Sequence, residues 1–337
     1  MTKTPIPEIR ASGFIKLTSG ESSAILVCEN SIKATLSEET RDITPSHIGK
    51  AGAVTTGITA DIEFTPVKFD DISLLFAVLG AKNGTPLSEY LVSAEIFCQV
   101  SATAWKKFTF PRCEWDSIGG ITFGTANAPL GAFKLKAYPN PLAGTGESTK
   151  IFTVSDLTSK PTMPTALSSS DIFAIRPIAV YDTGANAKSF DMKSASVEIS
   201  LSTSDIENVR LGKCGKMLDE IDVTFKCAPL LSVADWLSIT KIAEHNEVGE
   251  YHGGADLKQL LFRDPAAGGY GFTGLGAKPE NPSATFGSKE SLIGEVSFKM
   301  SGDELGEGKL SIATIASAFE FETAATQGAA KQTKSVK

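Results

Sequence analysis

The chain has 337 residues, of which 42% are hydrophobic and 21% charged, a globular composition with enough length for more than one core. Its formal net charge of −7 and pI of about 5.2 argue against a surface that grips nucleic acid phosphates. No apolar run of about 18 residues occurs, which excludes a helical membrane span, and the start MTKTPIPEIRASGF lacks the apolar stretch of a secretion signal, so synthesis in the cytoplasm is expected.

In chain order, the first clear signal is SIKATLS at 31–37. Ile32, Ala34 and Leu36 alternate with Lys33 and Thr35, which predicts a strand with one buried face. Residues 37–59, with Ser37, Arg41, His47 and Lys50, read as a long loop. A returning strand follows at 60–65, where Ile62 and Phe64 alternate with Asp61 and Glu63. Ile72, Leu75, Phe76 and Leu79 then fall at helical spacing behind Asp70 and Asp71, predicting a helix over 70–80 whose apolar face needs a sheet to cover it.

Trp105, Lys106, Lys107, Phe108 and Phe110 come closest to a basic, aromatic stacking platform. Alternation of Phe108 and Phe110 with Lys107 and Thr109 reads instead as a strand with a buried face. The phrase TFGTANAPLG at 122–131 leads through a glycine into a strand, Phe133, Leu135 and Ala137 against Lys134 and Lys136. KIFTV at 150–154 reads as a last strand, and TSKPTMPTALSSSD at 158–171 as a linker.

The chain then repeats itself. SVEISLS at 196–202 echoes SIKATLS with an offset of 196 − 31 = 165, DVTF at 222–225 echoes DIEF with 222 − 61 = 161, and TFGSKESLIG at 285–294 echoes the phrase at 122 with 285 − 122 = 163. Periodicity repeats as well: Val197, Ile199 and Leu201 alternate with Glu198 and Ser200, Val223 and Phe225 with Asp222 and Thr224, and Val296, Phe298 and Met300 with Ser297 and Lys299. Between the first two of these strands, residues 203–220 read as the second copy's loop, with Asp205, Arg210, Lys213 and Lys216. Val233, Trp236 and Leu237 form the second helix face, behind a capping box of Ser232 and Asp235. KLSIATI at 309–315 matches the last strand of the first copy. Expected, then, is a mainly β protein of two similar β-barrel or sandwich domains, each with one short flanking α-helix. The first spans 10–157, the linker 158–171, the second 172–323, and a flexible tail 324–337.

Motifs with chemical potential are sparse. Cys28, Cys98, Cys113, Cys214 and Cys227 contain no close CxxC pair and fit reduced, buried thiols. GYGFTG at 269–274 matches a dinucleotide fingerprint, but prolines follow where the phosphate-binding helix should run, so a glycine-rich loop is expected. His245 and His252, with Glu244, Glu247 and Glu250, lack the spacing of a known metal site and read as a solvated loop. No GxSxG elbow accompanies the many serines. No catalytic, metal or cofactor-binding residue is assigned; the expectation is a protein without cofactors that is not an enzyme.

The order of strand, long excursion, returning strand, short helix and later hairpin, written twice, resembles the tail tube proteins of long-tailed bacteriophages, in their tandem-duplicated form. That resemblance implies a structural virion protein made in the host cytoplasm, forming homotrimeric, pseudo-sixfold rings that stack into a conduit for DNA. It implies ring-stacking loops at Ser37–Thr59 and Thr203–Glu220, and a lumen lined by Lys33, Asp61, Glu63, Glu198 and Asp222. Implied partners are further copies of the chain, the tape measure, terminator and tail-tip proteins, and DNA in transit, with no membrane. Two other readings stand beside it: a ring at the tail tip or baseplate, and a carbohydrate-binding adhesin of two sandwiches.

Overall fold

The computed structural model describes residues 13–44, 46–47, 49–67, 72–101, 103–123, 130–140, 150–164, 177–182, 187–209, 211–231, 233–240, 258–264, 270–280, 282, 294–303 and 306–316. The protein is mainly β and comprises two β-barrel/sandwich domains. By compactness the chain divides into one unit of Met1–Thr122, Ala126–Ala174 and Ser196–Thr224, and another of Phe123–Thr125, Ile175–Ala195 and Phe225–Lys337. The segment 196–224, which belongs by sequence to the second repeat, thus counts with the first unit.

The first repeat contributes β1 (Gly13–Ser19), β2 (Ser22–Leu26), β3 (Cys28–Ile43), β4 (Gly52–Pro66), β5 (Val92–Gln99), β6 (Trp105–Ser117), β7 (Ile121–Phe123), β8 (Phe133–Ala137) and β9 (Thr153–Leu157). Its sheet runs β2-β1-β5-β6-β8-β4-β3, with β9 added on β6. Only Val27 separates the two end strands β2 and β3, and the Val67 N–H donates to the Val27 carbonyl at 2.8 Å. The sheet therefore begins and ends in one bent stretch of chain, which curls it toward a barrel. Inside, Ile62 faces Leu135 and Phe64 faces Phe133 across β4 and β8, with the Phe133 ring 6.0 Å from Phe64 and 5.9 Å from Trp115.

The second repeat contributes β10 (Ile178–Tyr181), β11 (Lys188–Asn208), β12 (Gly212–Leu230), β13 (Lys258–Arg263), β14 (Tyr270–Glu280), β15 (Val296–Met300) and β16 (Ser311–Thr314). Its order is β10-β13-β14-β15-β12-β11-β7, with β16 added on β14 and a further pairing of β10 with β11 that closes the circuit. Strand for strand, β10, β13, β14, β15, β12, β11 and β16 take the places of β1, β5, β6, β8, β4, β3 and β9. The echoes in the sequence thus correspond to a doubled topology. The second core is aromatic: Phe225 lies 4.8 Å from Phe262, and Phe123 lies 5.3 Å from Phe272.

Of the expected helix over 70–80, residues 70 and 71 lie outside the described residues, and the rest is not one continuous α-helix. α1 covers only Ile72–Leu75 and continues as a 3-10 turn at Ala77–Gly80, with Leu75 and Phe76 buried and the Phe76 ring 5.6 Å from Phe133. α2 (Val233–Thr240) buries Trp236, Ile239 and Thr240, whereas Leu237 is 37% exposed and does not pack on the sheet as expected. The Thr240 hydroxyl turns back onto the Trp236 carbonyl at 2.9 Å, which lets a polar residue take the inward position. Ser232 of the expected capping box lies outside the described residues.

Both expected loops are strands. The stretch 37–59 is the outer part of a β3–β4 hairpin, paired out to Ile43 opposite Gly52, and within 203–220 β11 runs to Asn208 and β12 starts at Gly212, the outer part of the β11–β12 hairpin. Both faces of these ribbons are rich in Thr, Ser and charged residues, so the strands carry no apolar alternation. GYGFTG, expected as a loop, lies mostly within β14. A Cβ at Gly271 would come within 2.6 Å of the Ile315 side chain, so this glycine serves close packing and not phosphate contact. KIFTV is in register about three residues late, the strand being Thr153–Leu157.

Candidate assembly interface

A strongly polar site with a fully buried carboxylate grows from RCEWD at 112–116 on β6. Alternation sends Cys113 and Trp115 into the core and Arg112, Glu114 and Asp116 to the outer face. An outward carboxylate should be wet, yet Glu114 is 0% exposed. Its cover is the outer part of β12: the Lys216 N–H donates to one carboxylate oxygen at 2.8 Å, and Arg112 donates to the other at 3.3 Å. Arg112 also donates to the Cys214 carbonyl at 3.4 Å. The Lys216 ammonium pairs with Asp116, which Lys134 reaches at 3.5 Å. Lys134 and Lys136 in turn lie 3.7 and 3.8 Å from Asp61. Four cations thus alternate with three carboxylates across β4, β6, β8 and β12.

Backbone bonds fasten the same ribbon. The Gly84 N–H donates to the Leu218 carbonyl at 2.7 Å, and the Leu218 N–H donates to Thr85 at 2.9 Å. At the tip, Gly212 has φ +69° and a Cβ there would stand 2.9 Å from the Thr56 carbonyl, so both conformation and space require glycine. Lys213 pairs with Asp205 at 2.9 Å, and the Ser204 hydroxyl binds Asp219 at 3.0 Å.

Burial sets the protonation of this cluster. Loss of water pushes the Glu114 carboxyl above its ordinary value, against the pull of the Lys216 N–H and Arg112. At Asp116 burial pushes the same way, but Lys216, Lys134 and Lys136 together outweigh it and hold the carboxyl below the ordinary range. Tyr138, 1% exposed, is raised by burial and by the carboxylates around it. The arrangement binds one ribbon to a barrel wall by complementary charge. Burial pushes the thiols of Cys28, Cys113 and Cys227 up to about 12. Among the described residues no group of acids, histidines and cysteines is arranged to hold a metal.

The residues singled out from sequence are distributed unevenly. Of the expected lumen set, Lys33, Glu63 and Glu198 are exposed, Asp222 is half-buried, and Asp61 is half-buried between two lysines. Of the expected loop set, Ser37, Arg41, His47 and Lys50 are exposed on or at the turn of the first ribbon, with Lys50 bridged to Asp42 at 2.8 Å. Asp205 and Lys213 pair with each other, and Lys216 is drawn into the polar cluster with only 11% of its side chain exposed. Arg210, the histidines 245 and 252, and the second copy of the repeated phrase at 285–293 lie outside the described residues. Arg112, Glu114, Asp116, Lys134 and Lys136 were not expected as a site. Their signal is the mixed-sign outer face of RCEWD, where an ordinary strand shows Thr or Lys. No protein-family model matches the chain, and no curated protein matches it in sequence.

Proposed function

We propose that the chain is a self-assembling structural protein whose paired barrels are neighbouring units of a ring, and that such rings stack into the tail tube of a bacteriophage. The observation that carries this reading is the repeated strand order, with a long two-stranded ribbon leaving the same place in each barrel. Two like domains in one chain let a ring close with half the number of chains, and ribbons too long for their own barrels are suited to bridging between units. Three chains would supply six barrels around a pseudo-sixfold axis. Of the lumen set, Glu63 and Glu198 are exposed and Asp222 half-buried, with one base, Lys33, opposite Glu63; a wall with this excess of acids would let DNA slide without binding, since screening confines its field to about 8 Å.

Electron microscopy of the purified protein tests this. Stacked rings of uniform diameter are expected; dispersed particles at every concentration would overturn it. Single rings that never stack would favour the tail-tip reading, which uses the same joints without the axial repeat.

A further inference from the structure

The phrase that the sequence writes twice begins, in its first copy, inside β7 with Thr122 and Phe123. This strand does not join the sheet of its own repeat: it adds to β11, at the end of the second sheet. Phe123 is 5% exposed, and its ring stands 5.9 Å from Phe262 and 5.3 Å from Phe272, both fully buried. A Cβ at Gly120 would stand 3.0 Å from the Val197 carbonyl oxygen and 3.7 Å from the Glu198 Cα, which fixes where the phrase meets β11. The first repeat thus lends a strand, and one aromatic core residue, to the sheet of the repeat that follows it.

The first sheet has no such strand. Among the described residues β3 pairs with β4 alone, although the offset of 165 sets Ile32, Ala34 and Leu36 in the places of Val197, Ile199 and Leu201. Ala34 faces Ile62 and Leu36 faces Ala60 across β4, so this row lies on the core side of the sheet. Its cover is missing: Val197 is 0% and Ile199 9% exposed, whereas Ala34 is exposed and Leu36 51% exposed. An edge with an uncovered apolar row on its core side is fitted to receive one more strand. The second copy of the phrase, outside the described residues, has the sequence for it. One offset of 163 carries Phe123 onto Phe286 and β8 onto β15, so both phrases keep the same distance from the strand that follows them.

We infer that the segment around Phe286 adds as a strand to the free edge of β3 in a second copy of this chain, with Phe286 taking the inward place that Phe123 takes in the second sheet. This deepens the proposed self-assembly and rests on it. Each repeat then lends its phrase to the next repeat, within the chain at β11 and between chains at β3. Such a contact joins two different surfaces head to tail, which lets a ring close.

Two full-length chains, each with one new cysteine, test the joint. The same offsets carry Glu198 onto Lys33 and Gly120 onto Ser283, so Lys33→Cys in one chain and Ser283→Cys in the other come within disulfide reach where the joint forms. Mixed before assembly and then oxidised, they should give at least about tenfold more covalent dimer than either variant alone or the native chain, whose own cysteines set the background. Separately, Phe286→Asp should raise the concentration for half-assembly at least about tenfold in sedimentation, while Phe286→Leu stays near wild type, with circular dichroism checking that both are folded. No excess dimer in a mixture that sediments as assembled, or assembly of Phe286→Asp at the wild-type concentration, would overturn the joint. A wild-type chain that stays monomeric throughout would instead remove the self-assembly reading on which it depends.

Discussion

Two ribbons in this chain share an origin and a place in the fold, yet one lies largely covered and the other is bare. The first, β3–β4, is exposed along almost all of its outer length, whereas the outer part of the second, counted with the unit built by the first repeat, buries Cys214, Gly215 and Leu218. The difference does not come from the ribbons' own pairing, since each is a long antiparallel hairpin. It comes from what β6 presents to the second ribbon: a desolvated glutamate that needs an N–H and a guanidinium. An identical backbone element is therefore a wall in one copy and a free arm in the other, and the side chains that decide between them number only a few.

The largest break in this comparison should come from Glu114→Ala. Removing one member of a buried, hydrogen-bonded charge cluster leaves the Lys216 N–H without its acceptor and Arg112 without its carboxylate, at a cost of about 3–5 kcal/mol. Urea unfolding should report that loss. The Cys214 thiol, carried on the ribbon itself and raised by burial, should also become open to alkylation as the ribbon lifts. Wild-type stability combined with a protected Cys214 would show that the cluster does not hold the ribbon.

A paired substitution sharpens the contrast further. Ile199→Ser removes a buried side chain and should cost about 2–3 kcal/mol, while Ala34→Ser, at the equivalent but exposed position of the first ribbon, should stay within about 0.5 kcal/mol in dilute protein. Equal effects would mean that the first ribbon is covered within its own chain.

How much of this could be read in the sequence follows from where each residue finds its neighbours. Strands lining a barrel keep a two-residue period because one face meets the core, so Ile62, Phe64, Val223, Phe225 and the β8 and β15 triplets were legible. The outer ribbons have no core face, and SEETRDI and GAVTTGIT look like loops to any test of periodicity. The same test expected Ala34 and Leu36 to be buried, because it cannot distinguish a covered strand from one awaiting cover. Glu114 was illegible for a different reason: its principal donor, Lys216, lies 102 residues away, and nothing local marks a charged residue for burial.

The smallest effect expected is in pH dependence, because two neighbouring carboxyls pull in opposite directions. Glu114 is raised above its ordinary 4.5, so the folded protein holds that proton more tightly than the unfolded chain. Its contribution is full below 4.5 and is lost as pH rises through the folded value. Asp116 is lowered below its ordinary 3.8, so its contribution is present above 3.8 and is lost as pH falls through the folded value. Their sum is shallow in wild type, but single substitutions separate the terms. Glu114→Gln should gain stability relative to wild type as pH climbs above 4.5, and Asp116→Asn should lose it as pH climbs through and above its lowered folded value, in thermal melts across the acid range. Parallel melting curves for both variants would mean that neither carboxyl is titrated differently by folding. In that event the ribbon would be held by its backbone bonds to Gly84 and Thr85 and by packing.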